Sequence, residues 1–212
     1  MKLAATALIV GLCGAGLLPA YPGQRPGHSF FQQSRPAATA TQAMYNAAAG
    51  SAETKIRHVE ENAKRNPPDR TPTVFTEREI NAYVQSGRVQ LPTGVRAVRF
   101  TGTPAVIDTV ARIDFDAITA SRRSSNPLLP LFSGVHDVHA VAHATGKGGQ
   151  ANVHIDSAEM DGVSIPRIAL DYFIEHYVTP KYPNVGMDST FQLPDKIDSA
   201  VVGAHQLTVV QK

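Results

Sequence analysis

The stretch that decides the fold is residues 76–115, TEREINAYVQSGRVQLPTGVRAVRFTGTPAVIDTVARIDF. It begins with a capping box, in which the side chains of Thr76 and Glu79 satisfy each other's free backbone N–H groups. The pair Ser86-Gly87 then offers the left-handed residue on which many helices end. The sequence therefore predicts a helix over residues 77–85.

Strand-like alternation follows this helix in residues 95–101 and 105–115, joined by a break at Gly102-Thr-Pro104. On the second strand, apolar and charged side chains fall on opposite faces, with Ile107, Ala111, Ile113 and Phe115 on one and Asp108, Arg112 and Asp114 on the other. One buried face and one wet face indicate an antiparallel sheet.

The tripeptide Gln-Leu-Pro occurs at 90–92 and again at 192–194, each time between a helix-like segment and strand-like alternation. The repeat predicts a frame of helix and hairpin used twice in a sheet that closes on one apolar core or groove. With 212 residues, 42% hydrophobic and 18% charged, the chain can bury one sizeable core. We therefore expect an α+β fold, with a curved antiparallel β-sheet wrapped around a helix in one domain over 71–212.

The preceding residues divide into three segments. Residues 1–20 combine a charged start, an apolar stretch and a small-residue cleavage site, which predicts a signal peptide or, if uncleaved, an inner-membrane anchor. Residues 21–36 are rich in Pro, Gly, Gln and Ser and predict a flexible tether. Residues 37–70 predict a helical segment that splits at Gly50-Ser51 and packs on the outside or leads from the membrane. The expected location is the periplasm or another exported site.

Charge, cysteine content and motifs exclude several classes of function. The formal net charge is +2 and no run of five like charges occurs, so nucleic acid is not an expected partner. Cys13 is the only cysteine, which excludes an intramolecular disulfide and a Cys-based metal site. The sequence has no Gly-x-Ser-x-Gly elbow, Walker pattern or dinucleotide-binding motif. We therefore expect a protein that is not an enzyme and needs no cofactor.

Residues 121–134 read SRRSSNPLLPLFSG and follow neither the helical nor the strand period. One interpretation is a membrane-docking loop, in which two arginines contact lipid phosphates and four apolar side chains enter the acyl region. The arginines are Arg122 and Arg123, and the apolar side chains are Leu128, Leu129, Leu131 and Phe132. The alternative is a crossover whose leucines cap the core.

A second helix is predicted with Pro166 at its first helical position, and it ends before Pro180. Its apolar residues form a broad stripe, which is typical of a helix buried on a sheet. A helix cupped by a curved sheet also lines any cavity between them, so we expect an acyl-chain groove here. Besides the four apolar side chains of the 121–134 loop, the expected lining residues are Ile107, Ile113, Phe115, Ile168, Phe173, Ile174 and Tyr177.

Residues 135–144 and 150–156 predict a hairpin around a Gly-rich turn, and this hairpin carries four of the eight histidines. If Ala144 pairs with Ala151, one face holds a His/Asp group with the composition of a zinc site, namely His139, His143, His154 and Asp156. In that register Asp156 lies opposite His139. The other interpretation is a set of ordinary polar residues on the wet face of the sheet.

Several features together resemble one group of bacterial exported proteins: the segment TEREINAYV at 76–84, strands after a Leu-Pro, the DGVSIP helix entry at 161–166, and a final Leu-Pro hairpin. The group is the LmeA-like and YpmS-like lipid-binding proteins, whose fold is related to half of a tubular, BPI-like lipid-binding module. The resemblance covers roughly residues 73–211. It implies an elongated α+β domain whose curved sheet wraps a helix and leaves an apolar groove for acyl chains.

The favoured function is accordingly a non-catalytic periplasmic protein that binds or transfers phospholipid or another acyl lipid in the cell envelope, with contact to a membrane surface. Two alternatives stay open. One is a His-rich metal-binding protein or metal-dependent hydrolase, and the other is an envelope scaffold protein with a dry core. A cavity distinguishes the lipid-binding protein from the scaffold. The sequence predicts no particular protein partner.

Overall fold

The computed structural model describes residues 36–119, 133–180 and 182–212. These residues form an α+β fold in which an open, nine-stranded antiparallel sheet packs against an N-terminal helix and several short helices, which confirms the predicted fold class. The strands are β1 (Thr73–Thr76), β2 (Val95–Thr103), β3 (Val106–Asp114), β4 (Val135–Lys147), β5 (Gln150–Met160), β6 (Val163–Ser164), β7 (Asp188–Gln192), β8 (Ile197–Gly203) and β9 (Gln206–Gln211). The helices are α1 (Pro36–Asn62), α2 (Glu77–Gln85), α3 (Phe115–Thr119) and α4 (Arg167–Phe173), and α4 continues as a π-helical turn, Ile174–Val178.

The sheet is built from hairpins. Strands β2, β3, β4 and β5 pair in succession, and the free edge of β5 carries β6 and β7. The β8–β9 hairpin joins β4 through a single bridge between Gly146 and Ala200, and β1 pairs with β9. The predicted β2–β3 hairpin is confirmed, because alternation and the Gly-Thr-Pro break fixed both strands locally.

Helix α2 has the predicted bounds and the predicted cap. The Thr76 hydroxyl accepts a hydrogen bond from the Glu79 N–H at 3.2 Å, and the Glu79 carboxylate accepts one from the Thr76 N–H at 2.8 Å. Gly87 follows with a φ of +73°, the left-handed conformation that glycine adopts without strain. Local chemistry alone therefore determines this helix.

The expected break at Gly50-Ser51 is wrong, because helix α1 runs without interruption through both residues. A glycine inside a helix costs about 1 kcal/mol relative to alanine. Packing outweighs that cost, because Ala49 and Ala52 are each only 1% exposed and Val59 is also buried. Many side chains of α1 are exposed, and its buried residues pack against α2 and β1, with Val59 in the first apolar cluster.

Three apolar clusters fill the space between the helices and the sheet. The first joins α1 to strands β5, β8 and β9, and the second joins α2 to β2 and β3. The third contains Phe115, Phe173 and Tyr177, where α3 and the α4 segment meet. The helices that cover the first two clusters are α1 and α2, so the predicted 166–178 helix covers only the third.

Candidate functional site

A cavity of about 160 Å³ lies between α1, α2 and the inner face of the sheet. Its apolar lining comes from both helices and from eight strands, because alternate residues of each strand face inward. The apolar and glycine lining residues are Ala52, Ile56, Val59, Phe75, Ile80, Phe100, Gly102, Ile107, Ala144, Gly146, Ala151, Val153, Phe191, Ile197, Ala200, Val202, Leu207 and Val209. The space is therefore an apolar compartment inside the first cluster and at its border with the second.

Small side chains account for the empty space. Ala52 lies on α1, while Ala151 and Ala200 lie on β5 and β8, and all three are buried. At Gly146 a Cβ atom would lie 2.7 Å from the backbone oxygen of Ala200, so only glycine permits the close approach of β4 and β8. Larger residues surround these positions, and the small ones leave a volume that no neighbouring side chain fills.

The cavity is partly open to solvent. Glu60, Glu77, Asp195, Tyr83 and Thr101 also border it, but almost none of their polar atoms face it, so its surface is apolar. A concave and largely apolar surface is the usual build of a small-molecule site.

The position of α1 over the cavity depends on Glu79, which is buried at the start of α2. Its carboxylate accepts hydrogen bonds from Lys55 at 2.8 Å and from Ser51, both on α1, as well as from the capping residue Thr76. Burial raises the pKa of Glu79, but the hydrogen bonds from Lys55, Ser51 and Thr76 outweigh burial and lower it to about 2. A buried, ionised carboxylate thus ties α1 to α2 beside Phe75 and Ile80.

Gln211 holds the other end of α1. Its side-chain amide N–H groups donate to the carbonyl oxygens of Val59 at 2.9 Å and Asp195 at 2.7 Å, and its oxygen accepts from the Asn62 amide at 2.8 Å. Gln211 and Asn62 are both buried. The last strand, the end of α1 and the loop before β8 are therefore fixed together at one end of the cavity.

Of the residues predicted to line an acyl groove, Ile107 is part of this cavity. Phe115, Phe173 and Tyr177 instead pack on one another in the third cluster, with ring centroids 5.4 Å apart for the first pair and 5.2 Å for the second. Ile113 packs against the second and third clusters, and Ile174 is buried outside the cavity.

Ile168 was expected in the buried stripe, and that prediction is wrong because Ile168 is 85% exposed. Helix α4 begins after Pro166, which caps the helix instead of occupying its first turn, and it changes to a π-helical turn at Ile174. The buried residues of the segment are Phe173, Ile174 and Tyr177, which all lie in its C-terminal half. The predicted docking residues Arg122, Arg123, Leu128, Leu129, Leu131 and Phe132 lie outside the described residues.

The predicted histidine group differs from the observed one. Ala144 pairs with Val153 rather than Ala151, and a bulge after Val141 leaves Asp156 beside His143 instead of opposite His139. The expected register is wrong because Gly148 and Gly149, both at positive φ, form a two-residue turn that sets the pairing.

Each of the four hairpin histidines approaches its own carboxylate, at 2.5–2.8 Å: His136 with Asp161, His139 with Asp108, His143 with Asp156 and His154 with Asp188. The hydrogen bond with Asp161 raises the pKa of His136, and the bond with Asp108 raises that of His139. A polar surface depression of about 200 Å³ adjoins His143 and His154. Within the described ranges, no three His, Cys, Asp or Glu side chains converge on one point where a metal ion could bind.

Comparison of the chain with known proteins identifies no relative. No protein-family model matches the chain, and neither the curated proteins nor the solved structures contain a match. The resemblance to LmeA-like and YpmS-like proteins therefore stays a prediction. In the part of the chain that the structure describes, no helix has the length and apolarity needed to cross a membrane.

Sequence reasoning missed most of the cavity residues, above all those of α1. The signal present in the sequence is the run of small residues at Ala48, Ala49 and Ala52, which permits close helix packing. Ile56 and Val59 continue the same side of α1 into the cavity. The alanines of the strands carry no such signal, since a small inward residue is equally common in a filled core.

Proposed function

We propose that this protein is a non-catalytic lipid-binding or lipid-transfer protein of the cell envelope, which holds one acyl chain in the cavity between α1, α2 and the sheet. The observation that carries this proposal is the apolar cavity of about 160 Å³, which is partly open to solvent. A protein with a dry, filled core has no such space, so the cavity favours a binding protein over a scaffold.

The dimensions of the cavity favour one chain. An apolar cavity of about 150 Å³ is known to bind benzene, so the enclosed volume suits about six carbon atoms. The lining on α1 extends from Ala52 to Glu60, which is about 12 Å at 1.5 Å per residue and suits about ten carbons in line. The two chains of a phospholipid do not fit side by side, so a phospholipid would place one chain here.

The expected affinity follows from the apolar area that the chain buries. Six to ten methylene groups contribute about 5–8 kcal/mol of transfer free energy at about 0.8 kcal/mol each. Association costs reduce that gain. Before those costs, about 5–8 kcal/mol corresponds to dissociation constants of about 0.2 mM to 1 μM. We therefore expect single-chain ligands to bind more weakly than about 1 μM, which permits exchange and suits a transfer protein. The cellular location in this proposal rests on the signal-like residues 1–20.

The test is isothermal titration calorimetry with 1-octanol, an uncharged single-chain ligand of the length that the cavity suits. Wild-type protein is expected to bind it saturably, and the substitution Ala151→Leu, which fills the cavity, is expected to abolish binding. The matched control is Ala97→Leu on the exposed face of β2, which should leave the titration unchanged. Absence of saturable binding to the folded wild-type protein would contradict the proposed function.

A further inference from the structure

The four histidines of the β4–β5 hairpin differ in how many of their ring nitrogens are engaged. At His136 both nitrogens lie 2.6 Å from an oxygen atom, one of Asp161 and one of the Ser133 carbonyl. At His139 one nitrogen lies 2.8 Å and the other 3.8 Å from a carboxylate oxygen. Because both nitrogens of these two rings face oxygen atoms, neither ring has a nitrogen available for a further ligand.

His143 and His154 engage one ring nitrogen each. Nδ1 of His143 lies 2.6 Å from the Asp156 carboxylate, and Nδ1 of His154 lies 2.5 Å from that of Asp188. An ionised carboxylate only accepts hydrogen bonds, so Nδ1 carries the proton and the neutral ring has its lone pair on Nε2. In the part of the chain that the structure describes, neither Nε2 atom has a hydrogen-bond partner. Each ring is therefore oriented by a carboxylate and has Nε2 available for a ligand.

The same two histidines lie directly opposite each other on the sheet. His143 of β4 pairs with His154 of β5, next to the pair formed by Ala144 and Val153. Ala144 and Val153 line the apolar cavity, and adjacent residues of a strand point to opposite faces, so the two histidines share the outer face. Directly opposite residues have Cβ atoms about 4.5–5.5 Å apart. Both histidines also line the polar depression of about 200 Å³.

We propose that His143 and His154 form a surface site for one divalent transition-metal ion that favours imidazole, such as Zn²⁺, bound through their two Nε2 atoms. Zn²⁺ binds imidazole nitrogen at about 2.0–2.1 Å, so the two Nε2 atoms must come within about 4 Å of each other. Rotation of two rings on directly opposite residues brings them to that distance. The proposal is independent of the proposed function, because the site is on the other face of the sheet from the cavity.

The carboxylates support metal binding in addition to the geometry. A metal-bound histidine usually donates its other ring N–H to a carboxylate, which fixes the ring and makes the ligating nitrogen more basic. Asp156 and Asp188 do this for both rings, and they place two negative charges near a divalent ion. Among the described residues no third His, Cys, Asp or Glu converges with the two rings, so water occupies the remaining coordination positions.

The direct test is ¹⁵N NMR of the histidine side chains in labelled wild-type protein at pH 8, where an ordinary histidine is neutral. Without metal, His143 and His154 should both show a protonated Nδ1 and an unprotonated Nε2. Added Zn²⁺ should shift both Nε2 resonances together and saturably. The resonances of His136 and His139 should stay unchanged, because their nitrogens are already engaged.

Isothermal titration calorimetry with ZnCl₂ measures the contribution of each ring. His143→Gln and His154→Gln should each weaken Zn²⁺ binding by at least about tenfold, since even the loss of a hydrogen-bond partner of a ligand costs about 10–100-fold. The matched control is His139→Gln on the same face of β4, which should leave the affinity unchanged. Mg²⁺ should not compete, because it prefers oxygen ligands.

Two results would overturn the site. In the first, Zn²⁺ leaves the Nε2 resonances of His143 and His154 unmoved, or moves only one of them. In the second, Mg²⁺ displaces Zn²⁺ or the two glutamine variants bind Zn²⁺ as tightly as wild type, which would assign the metal to carboxylates or to another place on the chain.

Discussion

Removal of the buried charge at Glu79 should lower the free energy of unfolding and change how that free energy depends on pH. The pKa of Glu79 is about 2 in the folded protein, against 4.5 for an ordinary glutamate. A lowered folded pKa means that the stabilisation is present above pH 4.5 and is lost as the pH falls through 2. The difference corresponds to about 3 kcal/mol, and solvent screening at Lys55, which is one-third exposed, reduces it to about 2 kcal/mol.

The test is urea unfolding of wild-type protein and of Glu79→Gln at several pH values between 7 and 2.5. Far-ultraviolet circular dichroism monitors the unfolding. At pH 7 the variant should have a free energy of unfolding about 2 kcal/mol lower. The two curves should converge as the pH falls from 4.5 towards 2, because wild-type protein then loses the same charge.

The control for this comparison is Glu175→Gln, whose side chain is exposed on the π-helical turn. Its stability should follow that of wild type in parallel at every pH, since the other carboxylates titrate equally in both proteins. Parallel curves for Glu79→Gln itself would refute the argument that Glu79 is ionised and that its charge stabilises the contact between α1 and α2.

Three further substitutions test the packing. Gly50→Ala should raise the free energy of unfolding by about 1 kcal/mol, because Gly50 is inside α1 and a Cβ there meets no atom within 4 Å; a loss in chemical denaturation would contradict the continuous helix. Gly146→Ala should lower the free energy of unfolding by about 1–3 kcal/mol in the same assay, since its Cβ would lie 2.7 Å from the Ala200 oxygen. Unchanged stability would argue against the pairing of Gly146 with Ala200. Thr109→Val should raise the melting temperature, because the buried Thr109 hydroxyl has no hydrogen-bond partner among the described residues. A lower melting temperature would indicate that the hydroxyl does have a hydrogen-bond partner.

Local sequence signals predicted the elements that depend on near neighbours. The capping box and Gly87 determined α2, and alternation around the Gly-Thr-Pro break determined the β2–β3 hairpin. The register of β4 and β5 could also have been predicted from the turn residues, because Gly148-Gly149 is a typical two-residue hairpin turn. The register prediction failed because it used a five-residue turn over 145–149.

The cavity was not predictable in the same way, because its shape depends on residues far apart in the chain. Ala52, Gly146, Ala151 and Ala200 face one another only after α1, β4, β5 and β8 are assembled. Hydrophobic periodicity shows which face of an element is buried, but it does not show whether the facing side chains fill the space between them. The 166–178 segment misled for a related reason, since the apolar stripe did not show that only the C-terminal half of the segment packs on the rest of the protein.

The most direct test of the central claim is a crystal structure of the protein grown with 1-bromodecane, in which anomalous scattering locates the bromine atom. We expect one bromine peak inside the compartment lined by Ile56, Ala151 and Val209, with continuous density for the chain in the same compartment. Crystals that show no bromine in this compartment, or show it only against the Phe115, Phe173 and Tyr177 cluster, would contradict the account.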